Sequence, residues 1–270
     1  MTGKEYRLRR IMDRKTGRTV IVPMDHGVTV GPIAGIADMR QAVSSVAAGG
    51  ANAVVVHKGV ASGSRVSLGG DTALIVHLSG GTSFSEDPNI KTLVCTVEEA
   101  IKLGADAVSV HINVGNRHEE RMLMDLAATA QVAGEWGVPL MAMIYARGER
   151  IQNEYDPGAI RHAARLGAEL GADLVKVPYT GSPETFREVV EGCQVPVVIA
   201  GGPRMDTDRA VLEMVRGAVD AGAAGISIGR NVFQHPDPRG IVRALCRIVH
   251  HGEGVDEALG SLSAPERRVA

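Results

Sequence analysis

The chain has 270 residues, with 29 basic against 31 acidic and a net charge of −2, a balance that excludes a single-sign surface for nucleic acid or another polyanion. Hydrophobic residues make up 44% but aromatics only 3%, so the core must be aliphatic, and the length suits one (β/α)8 barrel of about 250 residues. No apolar run reaches the ~20 residues of a membrane span; MTGKEYRLRR is followed by no signal-peptide core; and Cys95, Cys193 and Cys246 form no CxxC pair, which reads as a reducing, cytoplasmic setting.

The predicted elements alternate. Short, β-branched runs that are apolar nearly throughout lie at 19–25 (TVIVPMD), 52–58 (NAVVVHK), 73–79 (ALIVHLS) and 107–114 (AVSVHINV). Four more lie at 139–145 (PLMAMIY), 173–179 (DLVKVPY), 196–202 (PVVIAGG) and 225–229 (GISIG). Such runs suit strands buried on both faces, hence parallel strands covered by helices. Between them, helical patterns lie at 39–48, 119–136, 156–171, 207–221 and 240–250, the third carrying Pro157 in its first turn and Gly171 as its stop. The connections at 60–72 and 80–91 are rich in Gly and Ser and predict loops where helices would be shortened or replaced.

One pattern recurs before strands: GGANAVVV, LGADAVSV, LGADLVKV and AGAAGISI each end a helix on Gly, then Ala, then a strand. Eight βα units predict an α/β fold, a single closed (β/α)8 (TIM) barrel spanning 1–270, with an N-terminal extension at 1–18 and a C-terminal tail from about 255 to 270. The competing open doubly wound sheet wants GxGxxG after the first strand, where this chain has MDHG.

A barrel places its chemistry at the C-terminal strand ends. There the sequence gathers Asp25 and His26, His57 and Lys58, His77 and Ser79, His111 and Asn113, Tyr145, Lys176, Gly201–Gly202–Pro203 and Gly229–Arg230–Asn231. Lys176 lies between two valines in an apolar strand. Pointed into the barrel it would be desolvated, which favours the neutral amine, and a neutral lysine adds to a ketone to form an imine; the bland alternative is a lysine facing the helices. Asp25 and Tyr145 are candidate proton acceptor and donor around it, against ordinary roles as a cap and a rim tyrosine. Gly201, Gly202, Gly229 and Arg230 predict a phosphate seat at the two strand ends where barrels frequently bind phosphate. Lys58 reads as an exposed anion binder. His57, His77 and His111 raise a three-histidine metal centre, although no HxH or HExxH spacing supports one.

The motifs VPMDHGVTVGP, GGANAVVVHKG, LIVHLSGGT, GADAVSVHINVG, YARG, GADLVKVPYTG, VVIAGGPR and IGRNVFQH resemble those of archaeal-type class I aldolases over residues 7–259. The resemblance implies a decorated barrel, a lysine Schiff base, and neither metal nor cofactor. It implies Lys176 as the imine lysine, Asp25 as proton acceptor and Tyr145 as proton donor. Ala146, where the family often has Pro, Arg147, Val177, Pro178, Gly202, Pro203, Arg230 and Asn231 fall where the family binds sugar phosphate. His26, Lys58, His57 and His111 remain secondary candidates. The implied substrates are a sugar phosphate and an amino-aldehyde, in a transaldol exchange from a 6-deoxy-5-ketohexose 1-phosphate to aspartate 4-semialdehyde, and the implied assembly is a ring-based homo-oligomer such as a decamer. Condensation of dihydroxyacetone phosphate with an aldehyde, fructose 1,6-bisphosphate cleavage, and a phosphosugar-binding barrel without turnover stay open.

Overall fold

The computed structural model describes residues 2–62 and 71–263. Its centre is a closed barrel of eight parallel strands in chain order. They are β1 (Thr19–Pro23), β2 (Ala53–His57), β3 (Ala73–His77), β4 (Ala107–Val114), β5 (Leu140–Ala146), β6 (Leu174–Pro178), β7 (Val197–Ala200) and β8 (Gly225–Ser227). All eight apolar runs are strands. Closure is made by β1 against β8, from Thr19 opposite Gly225 to Ile21 opposite Ser227.

Alternation along each strand divides the core in two. Ile21, Val55, Ile75, Ala107, Met141, Leu174 and Val198 fill the barrel. Their neighbours, such as Val20, Val54, Val108, Val175 and Ile199, pack outward on the helices. This is why the runs are apolar almost throughout. At the ends of the helices that precede four of the strands, Gly50, Gly104, Gly171 and Gly222 have φ between 86° and 97°, so the recurring glycine supplies the left-handed residue that turns helix into strand.

The helices expected at 39–48, 119–136, 156–171, 207–221 and 240–250 form as Met39–Ala48, Glu119–Glu135, Pro157–Glu169, Asp208–Asp220 and Pro238–His251. Residues 1–18, read as an extension, contain the helix Gly3–Ile11, capped by Thr2. It sends Ile11, 1% exposed, into the barrel-filling cluster from the end opposite the strand C-termini. Residues 255–263 of the expected tail are a helix whose Ala258 is fully buried; 264–270 lie outside the described residues.

Two connections matter for the site. Residues 80–91 are non-helical, as their composition predicts, and a two-stranded ribbon, Ser79–Gly80 with Thr92–Leu93, returns this loop over the barrel mouth. The chain then forms a helix, Val97–Lys102, capped by Thr96, which the sequence reading missed, along with Pro183–Glu191 capped by Ser182. Of the 60–72 connection, only the end of a short helix, Lys58–Ala61, and residues 62, 71 and 72 fall among the described residues.

Candidate active site

Register and alternation place Lys176. Leu174, two residues earlier, fills the barrel, while Val175 and Val177 point to the helices. Lys176 therefore faces inward, level with Met143 on β5 and Val198 on β7. It is 6% exposed, and its Nζ lies 3.9 Å from the Met143 Sδ. Among the described residues no carboxylate comes within ion-pair distance of it. The reading of an outward-facing lysine is thereby excluded.

The same alternation brings the other inward positions to one cavity of about 320 Å³ at the C-terminal strand ends. Its walls include Asp25, His26, Asn89, Lys91, His111, Asn113, Tyr145, Arg147, Lys176, Gly201, Gly202, Ser227, Gly229 and Arg230. A second, larger cavity of about 700 Å³ adjoins it, sharing Tyr145, Arg147, Ala200, Gly201 and Gly202 and reaching Pro178 and Pro203.

Asp25 precedes the short helix His26–Val30 but makes no capping hydrogen bond. Its carboxylate instead lies 3.8 Å from the His77 Nε2 and 3.8 Å from the His26 Nδ1. Burial alone would raise its pKa, but His77, His26, Lys176 and His57 hold it well below the ordinary carboxylate range. Those histidines are themselves pushed down, mainly by burial, His77 to about 4. At neutral pH they are uncharged and Asp25 is a carboxylate, and as the pH falls the histidines take up protons before it does.

His77 bonds through Nδ1 to the Ser109 Oγ at 2.8 Å and packs edge-on against His57, centroids 5.2 Å apart. His111 Nε2 lies 3.0 Å from the Asn113 Oδ1, and the Asn113 amide donates to the Asn89 carbonyl. Asn113 Oδ1 is therefore the acceptor, so His111 donates from Nε2 and leaves Nδ1 as an acceptor toward the cavity; burial keeps it neutral. Each histidine is thus engaged with its own neighbours, and among the described residues no three His, Cys, Asp or Glu side chains are grouped to hold a metal. Tyr145 is packed between His111, centroids 4.9 Å apart, and the Arg147 guanidinium, 4.4 Å from its ring centre. Arg147 also pairs with Glu154.

At the β7–β8 end, Arg230 donates from Nη2 to the Gly202 carbonyl. Among the described residues its Nε and the Ser227 Oγ are buried without a hydrogen-bond partner, and buried polar groups of this kind call for a ligand or water. Asn231 is 6% exposed, and its amide goes to backbone: it accepts from the Met205 N–H and donates to the Gly201 and Pro203 carbonyls. It shapes the 201–205 loop. Val177 and Ala146 are fully buried against the helix layer and can reach a ligand only through their backbone.

Lys58 and His57 are not brought in either. Lys58 lies outside the cavity wall, 3.1 Å from Glu99, with its side chain 43% exposed. His57 stands behind His77 rather than in the wall. Conversely, Lys91, Asn89 and Ser227 line the cavity though the sequence reading did not single them out.

The DeoC/LacD family aldolase model matches residues 19–235. The chain is 45% identical to 2-amino-3,7-dideoxy-D-threo-hept-6-ulosonate synthase 1 of Archaeoglobus fulgidus, over 96% of this chain and 95% of that one. It is 41% identical to the 2-amino-4,5-dihydroxy-6-oxo-7-(phosphonooxy)heptanoate synthase of Streptomyces griseus, over 92% and 91%. It is also similar to the solved structure of an archaeal fructose-1,6-bisphosphate aldolase whose catalytic lysine carries the carbinolamine intermediate, with 34% identity, 91% and 99% coverage and a TM-score of 0.85. With a closed aldolase barrel and matches of this length, the chain is an enzyme of the class I type and belongs to the DeoC/LacD family of aldolases.

Proposed function

We propose that this enzyme moves a three-carbon ketone unit from a 6-deoxy-5-ketohexose 1-phosphate to L-aspartate 4-semialdehyde. The product would be 2-amino-3,7-dideoxy-D-threo-hept-6-ulosonate, a precursor for an alternative route to 3-dehydroquinate and aromatic amino acids. The observation that carries the reading is Lys176, buried and, among the described residues, free of a carboxylate partner, in one cavity with Asp25 and Tyr145.

In this reading the Lys176 Nζ adds to the ketone, and loss of water leaves a protonated imine. Asp25 takes the proton of the β-hydroxyl, and the carbon–carbon bond breaks with its electron pair entering the imine. Hydroxypyruvaldehyde phosphate departs and a three-carbon enamine stays on Lys176. The enamine attacks the aldehyde of aspartate 4-semialdehyde, whose oxygen collects the proton, and hydrolysis frees the product. Tyr145 shuttles protons at the carbinolamine stage. The enzyme works in the cytoplasm as a homo-oligomer.

A second reading has a specific observation behind it. Dihydroxyacetone phosphate carries its phosphate one carbon from the ketone. The Gly201, Gly202, Gly229 and Arg230 end, with Ser227 Oγ and Arg230 Nε lacking partners among the described residues, suits that anion. Both readings share the imine. Borohydride with either donor should leave a reduced adduct on Lys176, visible as a peptide mass shift; no adduct with either donor sinks both. Initial rates of the two donors with aspartate 4-semialdehyde then decide between them.

A further inference from the structure

Lys91 is 7% exposed and lines the Lys176 cavity. Its Nζ donates to the Pro88 carbonyl at 2.7 Å. Among the described residues no carboxylate lies within ion-pair distance of it. Lysine is almost never this buried without a counter-charge, and among the described residues none touches it, so the site suits an anion brought by a ligand.

Its place in the barrel says which anion. Lys91 ends the loop that the ribbon folds back between β3 and β4, and it shares the wall with Asn89 and with His111 and Asn113 on β4. Gly201–Gly202 and Gly229–Arg230 end β7 and β8, half-way round the eight-stranded barrel. Lys176 on β6 and Tyr145 on β5 lie between. The cavity thus has two cationic ends, Arg230 at one and Lys91 with Arg147 at the other. Burial, and then the nearby Arg147 charge, depress the Lys91 pKa, and the more distant Asp87 and Asp25 offset this only in part. A ketone phosphorylated beside its carbonyl would fill the first end alone.

We propose that Lys91 seats the anionic end of the aldehyde half of the reaction, in first place the α-carboxylate of the amino-aldehyde acceptor. This rests on the imine reading of Lys176 and deepens it. The enamine carbon that releases one aldehyde is the carbon that attacks the next, so the two aldehydes lie along the same line from Lys176. A phosphate on the departing aldehyde therefore occupies the Lys91 seat first and must leave before the carboxylate enters. Exchange of one aldehyde for the other is then obligatory and sequential at this end, while the Arg230 end serves donors phosphorylated beside the ketone.

The test compares wild type with Lys91→Gln, whose amide can still donate to Pro88, and Lys91→Arg, which keeps the charge. One readout is borohydride trapping of hydroxyacetone, an uncharged ketone, on Lys176. The other is kcat/KM for aspartate 4-semialdehyde against butanal, an uncharged aldehyde of like length, with the same donor. Expected are equal trapping in all three proteins, a fall of about ten- to hundredfold for the charged acceptor in Lys91→Gln, little change for butanal, and recovery in Lys91→Arg. Equal losses on both aldehydes, or none on the charged one, overturn the seat alone. A wild type that traps no ketone overturns the imine reading, and the seat with it.

Discussion

Asp25 keeps its charge across the working pH range because the histidines around it, and not the carboxylate, take up the first protons as the pH falls. In its proposed role of proton acceptor it needs no prior titration, so no acid limb of kcat/KM should have a midpoint in the ordinary carboxylate range near 3.9. Asp25→Asn preserves the shape and removes the base; kcat should fall by about 10²- to 10⁴-fold, measured by steady-state rates with either donor. A loss below tenfold would make Asp25 a fixture of the histidine cluster instead. Lys176→Met should cost more, about 10⁴-fold or beyond, and abolish trapping. Both residues were legible because ionisable side chains at the ends of apolar strands stand out against their neighbours. Lys91 was not. In EDPNIK it reads as one more charge in a polar loop, and its burial comes only from the ribbon that folds this loop over the mouth.

Strands and helices were legible to different degrees for the same physical reason. A strand covered on both faces writes its burial into every position, so all eight were visible. The helix Val97–Lys102 has six residues and follows a Gly- and Ser-rich loop, which hides its period; its signal was Thr96 with Glu99 three residues on. Closure of the barrel was implied by the count of units but depends on a detail no count reveals. Gly225, at the β1–β8 seam, has φ +132°, and a Cβ there would lie 1.9 Å from the Thr19 carbonyl oxygen. Gly225→Ala should therefore lose at least ~3 kcal/mol through strain and overlap with backbone. Gly59→Ala, where a Cβ meets nothing within 4 Å among the described residues, is the control, and urea midpoints of the two compare them. The 201–205 loop makes the matching case for the site. Asn231→Ala leaves the Met205 N–H and the Gly201 and Pro203 carbonyls without their partner. It should raise KM for dihydroxyacetone phosphate several-fold while hydroxyacetone trapping stays normal. A change in trapping alone would place Asn231 nearer the imine than its contacts suggest.

Over the whole molecule, the barrel mouth is built on histidines kept neutral. Burial is the largest cause for His26, His57, His77 and His111, and all four are held below their ordinary value, His77 at about 4. In the unfolded chain they bind protons near pH 6.5. Between about pH 6.5 and 4 the unfolded state therefore carries more protons than the folded one, so stability rises with pH there and is lost as the pH falls through that window. For His77 alone, a gap of about 2.5 pH units corresponds to something on the order of 3 kcal/mol, a large share of the 5–15 kcal/mol that typically holds a domain together. Asp25, held low, adds a loss in the same direction only below its unfolded value near 3.9. Acid should consequently destabilise the barrel through its mouth, and the cavity should fail with the fold rather than by titration of Asp25. Urea midpoints at pH 7, 6, 5 and 4 should decline most steeply between 6 and 4, and His77→Gln, which keeps a partner for Ser109, should flatten that decline even if it lowers stability at pH 7. An unchanged slope in His77→Gln would move the acid sensitivity away from the barrel mouth.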